Sequence, residues 1–258
     1  MTKYIIDSHA HLDHERYDED REEIIAKLEE NNIKAVINPA SDLASSEKAV
    51  DLSMKHDNIF AMVGTHPHEA KYYDQATRQA YIDLSKQGKV VAIGEIGLDY
   101  YYEHSEREIQ KKVFIDQINL AKELDLPIVI HSRDAVEDTY EILSEHAQGM
   151  KVLLHAFSES WEVCQSYLKL GFYIALGGVI TFKNARKLLL VGENIPLESL
   201  LIETDSPYLT PTPFRGKRNQ PAYTHYVAEK IAELKDVDVD LVREHAYKNT
   251  LEFFGINI

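Results

Sequence analysis

The chain has 258 residues, with 28 Lys+Arg against 43 Asp+Glu, 12 His and a single Cys. At 44% hydrophobic and 28% charged it has the composition of a globular protein with a large core, which excludes a disordered, collagen-like or disulfide-stapled chain. The formal charge of −15 argues against a broad basic surface for DNA, while leaving room for a small pocket that reads phosphate through metal ions. In chain order, the first seven residues hold a short apolar run before Asp7, so no signal peptide is predicted. Short apolar runs then recur at 4–7, 33–38, 59–63, 90–94, 127–130, 152–154, 172–175 and 200–203, and these read as strands covered on both faces. Segments of helical spacing lie between them, as at 21–30, where Ile24, Ile25 and Leu28 form one stripe. Asp42 and Asp74 stand where N-caps belong, and Ser105 has capping-box spacing to Glu108.

Cys164, alone, forms no intrachain disulfide and falls in a predicted helix over 161–168 as a packing residue. The longest charge-free apolar stretch, 170–182, contains glycines and is shorter than the ~18 residues of a membrane helix. A cytoplasmic protein without membrane contact is expected. Eight strand–helix alternations point to an α/β fold, a single (β/α)8 TIM barrel spanning 1–258; a doubly wound open sheet shares the alternation. The one long irregular stretch, 206–222, carries four prolines and follows the eighth strand, where an active-site loop is expected.

The histidines and certain acids stand at the ends of the predicted strands: His9 and His11 after the first, His66 after the third, Glu95 at the fourth, His131 at the fifth, His155 at the sixth and Asp205 past the eighth. In a barrel these ends converge on one mouth, where catalytic groups collect. His9 and His11, two residues apart in an extended segment, point to the same side and suit one cation, or else mark a strand-end turn. Glu95, between Gly94 and Gly97, has two oxygens with which to bridge two ions, or pairs with a distant Arg. Nitrogen and carboxylate donors without thiols suit Zn²⁺, Mn²⁺ or Mg²⁺. No GxxxxGK[ST], GxGxxG or GxSxG occurs. Tyr100-Tyr101-Tyr102 reads either as a base-stacking group or as cover for the barrel rim, and Arg215-Gly216-Lys217-Arg218 either as surface charge or as a phosphate clamp.

These residues lie in motifs that resemble the TatD family of metal-dependent deoxyribonucleases over essentially the whole chain. They are Asp7-Ser8-His9-Ala10-His11-Leu12, Gly64-Thr65-His66-Pro67-His68, Gly94-Glu95-Ile96-Gly97-Leu98-Asp99-Tyr100, Ile130-His131-Ser132-Arg133, Glu203-Thr204-Asp205-Ser206-Pro207-Tyr208 and Arg215-Gly216-Lys217-Arg218-Asn219. The resemblance implies two divalent ions, one held by His9, His11, Glu95 and Asp205, the other by Glu95, His131 and His155. One departure is Ala156-Phe157-Ser158-Glu159, where the family usually has Cys-Phe-Ser-Gly. The implied activity is phosphodiester hydrolysis of DNA, of 3′–5′ exonuclease type on single strands or 3′ ends. Glu95 and Asp205 are the candidate catalytic groups, and His66, Arg133 and Arg215 the candidate substrate contacts. An amidohydrolase acting on a small-molecule C–N or C–O bond, and a non-catalytic barrel scaffold, are the competing readings.

Overall fold

The computed structural model describes residues 3–87 and 89–258. In chain order the elements are β1 (Ile5–Asp7), α1 (Arg21–Ala26), β2 (Ile33–Asn38), α2 (Leu43–Lys55), β3 (Ile59–Val63), α3 (Gln75–Ser85), β4 (Val90–Asp99), α4 (Arg107–Leu124), β5 (Ile128–Arg133), α5 (Val136–His146), β6 (Val152–Leu154), α6 (Trp161–Lys169), β7 (Tyr173–Leu176), α7 (Arg186–Asn194), β8 (Leu200–Ile202), α8 (Thr224–Lys235) and α9 (Val239–Phe254). The strands form one eight-stranded sheet in the order β1 to β8, and β1–β2, β3–β4, β4–β5, β5–β6 and β7–β8 pair in parallel. This is the (β/α)8 architecture that the alternation predicts. Among the described residues, no helix is long and apolar enough to cross a membrane.

The chain divides into two compact units. The first comprises Met1–Asn38, Ala156–Lys169 and Tyr173–Ile258. In it β1 pairs with β2 and β7 with β8, and α9 packs against β1 and β8. Ile5, Ile33, Ile174, Leu200, Leu201 and Ile202 are fully buried, as are Val227, Ile231 and Val242 on the covering helices. Cys164 is buried in α6, as expected of a packing residue, and burial pushes its thiol up to about 12. The second unit, Pro39–His155 with Leu170–Phe172, carries β3 to β6, with α2 against β3 and α4 against β4.

Local caps follow the sequence where the side chain has no better partner. Asp42 accepts the Ser45 N–H at 2.8 Å while Ser45 Oγ accepts the Asp42 N–H at 2.9 Å, and Asp74 accepts the Thr77 N–H at 2.8 Å. Ser105 does not cap. Helix α4 starts later, after Glu106, and Ser105 Oγ instead donates to His68 O at 2.9 Å and accepts the Lys71 N–H at 3.1 Å. The helix predicted over 21–30 ends at Ala26 and continues as turns.

Strand β4 departs most from expectation. Gly94, where the predicted run ends, lies inside it, and all ten residues to Asp99 are buried. Against β5 the register shifts between Ile93 and Ile96, so three steps on β4 match two on β5, from Ile128 to Ile130. The irregularity falls at Gly94-Glu95, and such bulges re-aim side chains near active sites. Beyond it Gly97 pairs with His131. Gly97 has φ +140°, and a Cβ there would stand 2.0 Å from the His131 carbonyl oxygen. Both facts require glycine. Gly97→Ala is therefore expected to destabilise by about 3 kcal/mol or more; urea unfolding within 1 kcal/mol of the parent would contradict this close approach.

Candidate metal centre

In the first unit the chain stays extended past β1. The Ala10 N–H donates to Ile37 O at 3.1 Å and the His11 N–H to Ser206 O at 2.8 Å, with Ala10 and Ser206 in a parallel bridge. Residues 9 and 11 thus share a side, and their rings meet edge to face with centroids 5.1 Å apart. Across from them the Asp205 N–H donates to His9 O at 2.9 Å. One Asp205 oxygen lies 3.5 Å from His11 Nε2 and 3.9 Å from His9 Nε2.

Asp7 fixes this arrangement from below. Its Oδ1 accepts the Thr204 and His9 N–H groups at 2.9 and 3.3 Å, and its Oδ2 accepts the Thr204 hydroxyl at 2.5 Å. Burial pushes the Asp7 carboxyl up to about 8 against those hydrogen bonds. Glu203, also buried, accepts the Ala156 N–H at 2.6 Å. The irregular 206–222 segment is tied back by Asn219, whose amide donates to Thr204 O at 2.9 Å and Tyr208 O at 2.7 Å.

In the second unit one oxygen of the buried Glu95 faces His131 Nδ1 at 2.7 Å, His155 Nε2 at 3.2 Å and His66 Nε2 at 3.5 Å. Burial alone would raise the Glu95 carboxyl; the surrounding histidines, His155 and His66 foremost, hold it well below the usual carboxylate range. His131 stands in register with Gly97. Its Nδ1 meets Glu95 and its Nε2 meets Asp99 Oδ2 at 3.0 Å. Asp99 Oδ2 also meets His68 Nε2 at 3.0 Å, and Asp99 Oδ1 accepts the Tyr101 and Tyr102 N–H groups at 3.0 and 2.9 Å. Burial would raise the Asp99 carboxyl as well, but His131, the Tyr102 N–H and His68 outweigh it and hold it ionised.

The protonation of each ring follows from these partners. Both nitrogens of His131 face carboxylates: burial would lower its pKa, but the hydrogen bonds to Asp99 and Glu95 outweigh it and raise it, so this ring holds a proton more readily than a free imidazole. His66 is arranged the other way: its Nδ1 accepts the His68 N–H at 3.2 Å, so the neutral ring carries its proton on Nε2, facing Glu95. Burial, with His131 nearby, lowers His66 to about 4, so the ring is neutral at pH 7. His66 is thereby an N–H donor rather than a lone-pair donor at that position.

The donor sets fit divalent ions. Within His9, His11 and Asp205, and within His66, Glu95 and His131, the donor atoms lie within 4.8 Å of one another. Two ligands each about 2.1 Å from a tetrahedral ion stand about 3.4 Å apart, longer than a hydrogen bond. The His11–Asp205 separation of 3.5 Å and the His155–Glu95 separation of 3.2 Å are of that size. Arg133 and Arg215 are held on rings, with Arg133 4.0 Å from the Tyr101 centroid and Arg215 3.5 Å from that of Phe182. Arg218 is taken up by Asp20 at 2.5 Å and by Tyr17, so this member of the basic cluster is already engaged within the chain. The sequence alone assigns no role to Asp7, Asp99, Glu203 or His68. The Glu95-Ile96-Gly97-Leu98-Asp99 spacing is the signal that would have found Asp99.

The family model described as "TatD related DNase" matches residues 6–255. The chain belongs to the TatD family of metal-dependent hydrolases. It is 44% identical to the uncharacterized metal-dependent hydrolase YabD of Bacillus subtilis, over 98% of this chain and 100% of that protein. It is 38% identical to the uncharacterized metal-dependent hydrolase YcfH of Escherichia coli, over 98% of this chain and 97% of that one. The crystal structure of YjjV, a TatD homolog from Escherichia coli, superposes with a TM-score of 0.93 at 29% identity, covering 98% of each chain.

Asp99 orients a histidine without reaching Glu95 itself, and loss of such a partner typically lowers metal affinity 10–100-fold. We expect Asp99→Asn to show a drop of about that size in divalent-ion affinity by competition titration, with an unchanged circular dichroism spectrum. Parent-like affinity would show that His131 does not depend on Asp99.

Proposed function

We propose that this TatD-family chain hydrolyses phosphodiester bonds of DNA with two divalent ions, Zn²⁺, Mn²⁺ or Mg²⁺. His9, His11 and Asp205 hold one; Glu95, His131 and His155 hold the other. The observation that carries this reading is the convergence of imidazole and carboxylate donors without thiols in each unit, His9, His11 and Asp205 in the first and His131 and His155 around Glu95 in the second. The family description and the whole-chain match support it. Bound divalent ions supply charge stabilisation at phosphate oxygens and an acidified water.

The residues of the chain do the rest. Asp205 accepts the proton of the attacking water. The neutral His66 ring, with its proton on Nε2, donates to a phosphate oxygen, where negative charge develops. Arg133 and Arg215 contact neighbouring phosphates, single strands and 3′ ends being the preferred substrates. Amide hydrolysis on the same architecture is disfavoured by Glu95 standing where a carbamylated lysine would bridge. A non-catalytic scaffold would have no use for the complete donor set. We place the protein in the cytoplasm, consistent with its single buried cysteine.

Purified protein is expected to carry about two divalent ions per chain, and exhaustive chelation to abolish cleavage of end-labelled DNA until metal is returned. His131→Ala should lower loading of one ion. Glu95→Gln should lower loading of that same ion and cut turnover more than ~10²-fold. Cleavage that persists in protein shown metal-free by elemental analysis would refute the metal mechanism. Normal loading and turnover in Glu95→Gln would refute Glu95 as a ligand.

A further inference from the structure

The three tyrosines after Asp99 have different environments. Tyr100 is a structural residue: its hydroxyl donates to Asp138 Oδ2 at 2.5 Å, and the Arg107 guanidinium lies 4.3 Å from its ring centre. Tyr101 and Tyr102 are instead 57% and 51% exposed. Their rings meet edge to face at 4.7 Å, and the Arg133 guanidinium lies 4.0 Å from one ring centre and 4.8 Å from the other. His104, also exposed, stacks on Tyr102 at 5.5 Å with 5° between the planes.

Two further observations give this group a direction. Arg133 is exposed and, among the described residues, makes no ion pair, so a full positive charge stands on aromatic faces with no carboxylate to neutralise it. The group is also continuous with the Glu95 cluster. Tyr102 packs edge-on to His68 at 5.5 Å, His68 to His66 at 4.3 Å, and His66 Nε2 reaches Glu95 at 3.5 Å. Because Asp99 Oδ1 accepts both tyrosine N–H groups while Oδ2 accepts from His131, one carboxylate fixes both the exposed aromatics and a metal-facing histidine.

We propose that Tyr101, Tyr102 and His104 form a stacking platform for a nucleobase of a single-stranded nucleic acid, with Arg133 holding the adjacent phosphate. The proposal rests on the phosphodiesterase reading above and adds to it where the strand lies. Planar aromatic and guanidinium faces are the surfaces on which unpaired bases stack, and such stacking tolerates every base. It needs no extended basic track. A chain of net charge −15 can therefore hold a polyanion with a single local cation and ring faces.

The test compares the parent with Tyr101→Ala/Tyr102→Ala and Tyr101→Phe/Tyr102→Phe, each checked by circular dichroism. The probes are fluorescein-labelled oligothymidylate and oligouridylate, and an oligonucleotide carrying terminal 2-aminopurine. Stacking of one base predicts about 10- to 100-fold weaker binding for the alanine pair, falling on KM rather than kcat, with loss of the 2-aminopurine quenching. The phenylalanine pair retains the ring faces and should bind as the parent does. The thymidylate and uridylate arms should both lose the same factor. Binding and quenching unchanged in the alanine pair overturn the platform, whether or not the parent cleaves DNA. Tyrosine-dependent binding without cleavage upholds the platform and overturns the phosphodiesterase reading. A parent that binds neither oligonucleotide overturns the platform.

Discussion

The site depends on how a single imidazole is placed. His131 stands in register with Gly97, whose backbone comes too close to the His131 carbonyl for any Cβ, and its ring lies between two carboxylates of the neighbouring strand, Glu95 and Asp99. An isolated carboxylate buried as Glu95 is would take up a proton to escape the cost of burial. Here the facing histidines reverse that tendency and keep the oxygens charged and available. The bulge that aims Glu95, the glycine that makes room and the Asp99 carboxylate that orients the ring belong to one ten-residue strand.

That strand also shows what could and could not be read from the amino-acid sequence. The eight apolar runs coincide with the eight strands to within a few residues, because strands covered on both faces leave a continuous hydrophobic record. At β4 the record misleads. The apolar run ends at Gly94, yet Gly94 and Gly97 permit a bulge and a close backbone approach inside the strand. Ser105 fails as a cap for a related reason, since a tertiary partner, the His68 carbonyl, outcompetes the local one.

The histidines were legible as a group because they recur at strand ends, a pattern that needs no knowledge of side-chain direction. The supporting acids were not. Asp7, Asp99 and Glu203 act by accepting hydrogen bonds from backbone and ring N–H groups remote in sequence or fixed by register, and nothing in their own neighbourhood announces those partners. His66 illustrates a finer limit. Its place after β3 suggests a ligand as readily as a substrate contact, and only the His68 N–H on its Nδ1 decides which nitrogen carries the proton.

The clamp of Asp7 on Thr204 joins residues nearly two hundred positions apart. The first unit is correspondingly discontinuous, with Met1–Asn38 completed by segments that begin at Ala156. During synthesis at about 5–20 residues per second, β1 and β2 would wait on the order of ten to forty seconds for the chain around Asp205 to appear. Through that interval the His9–His11 pair lacks its carboxylate, and the apolar strands beside it lack their cover. The nascent polypeptide therefore cannot assemble this cation cluster until most of it has been made, and during that delay its first strands are exposed to chaperones and proteases.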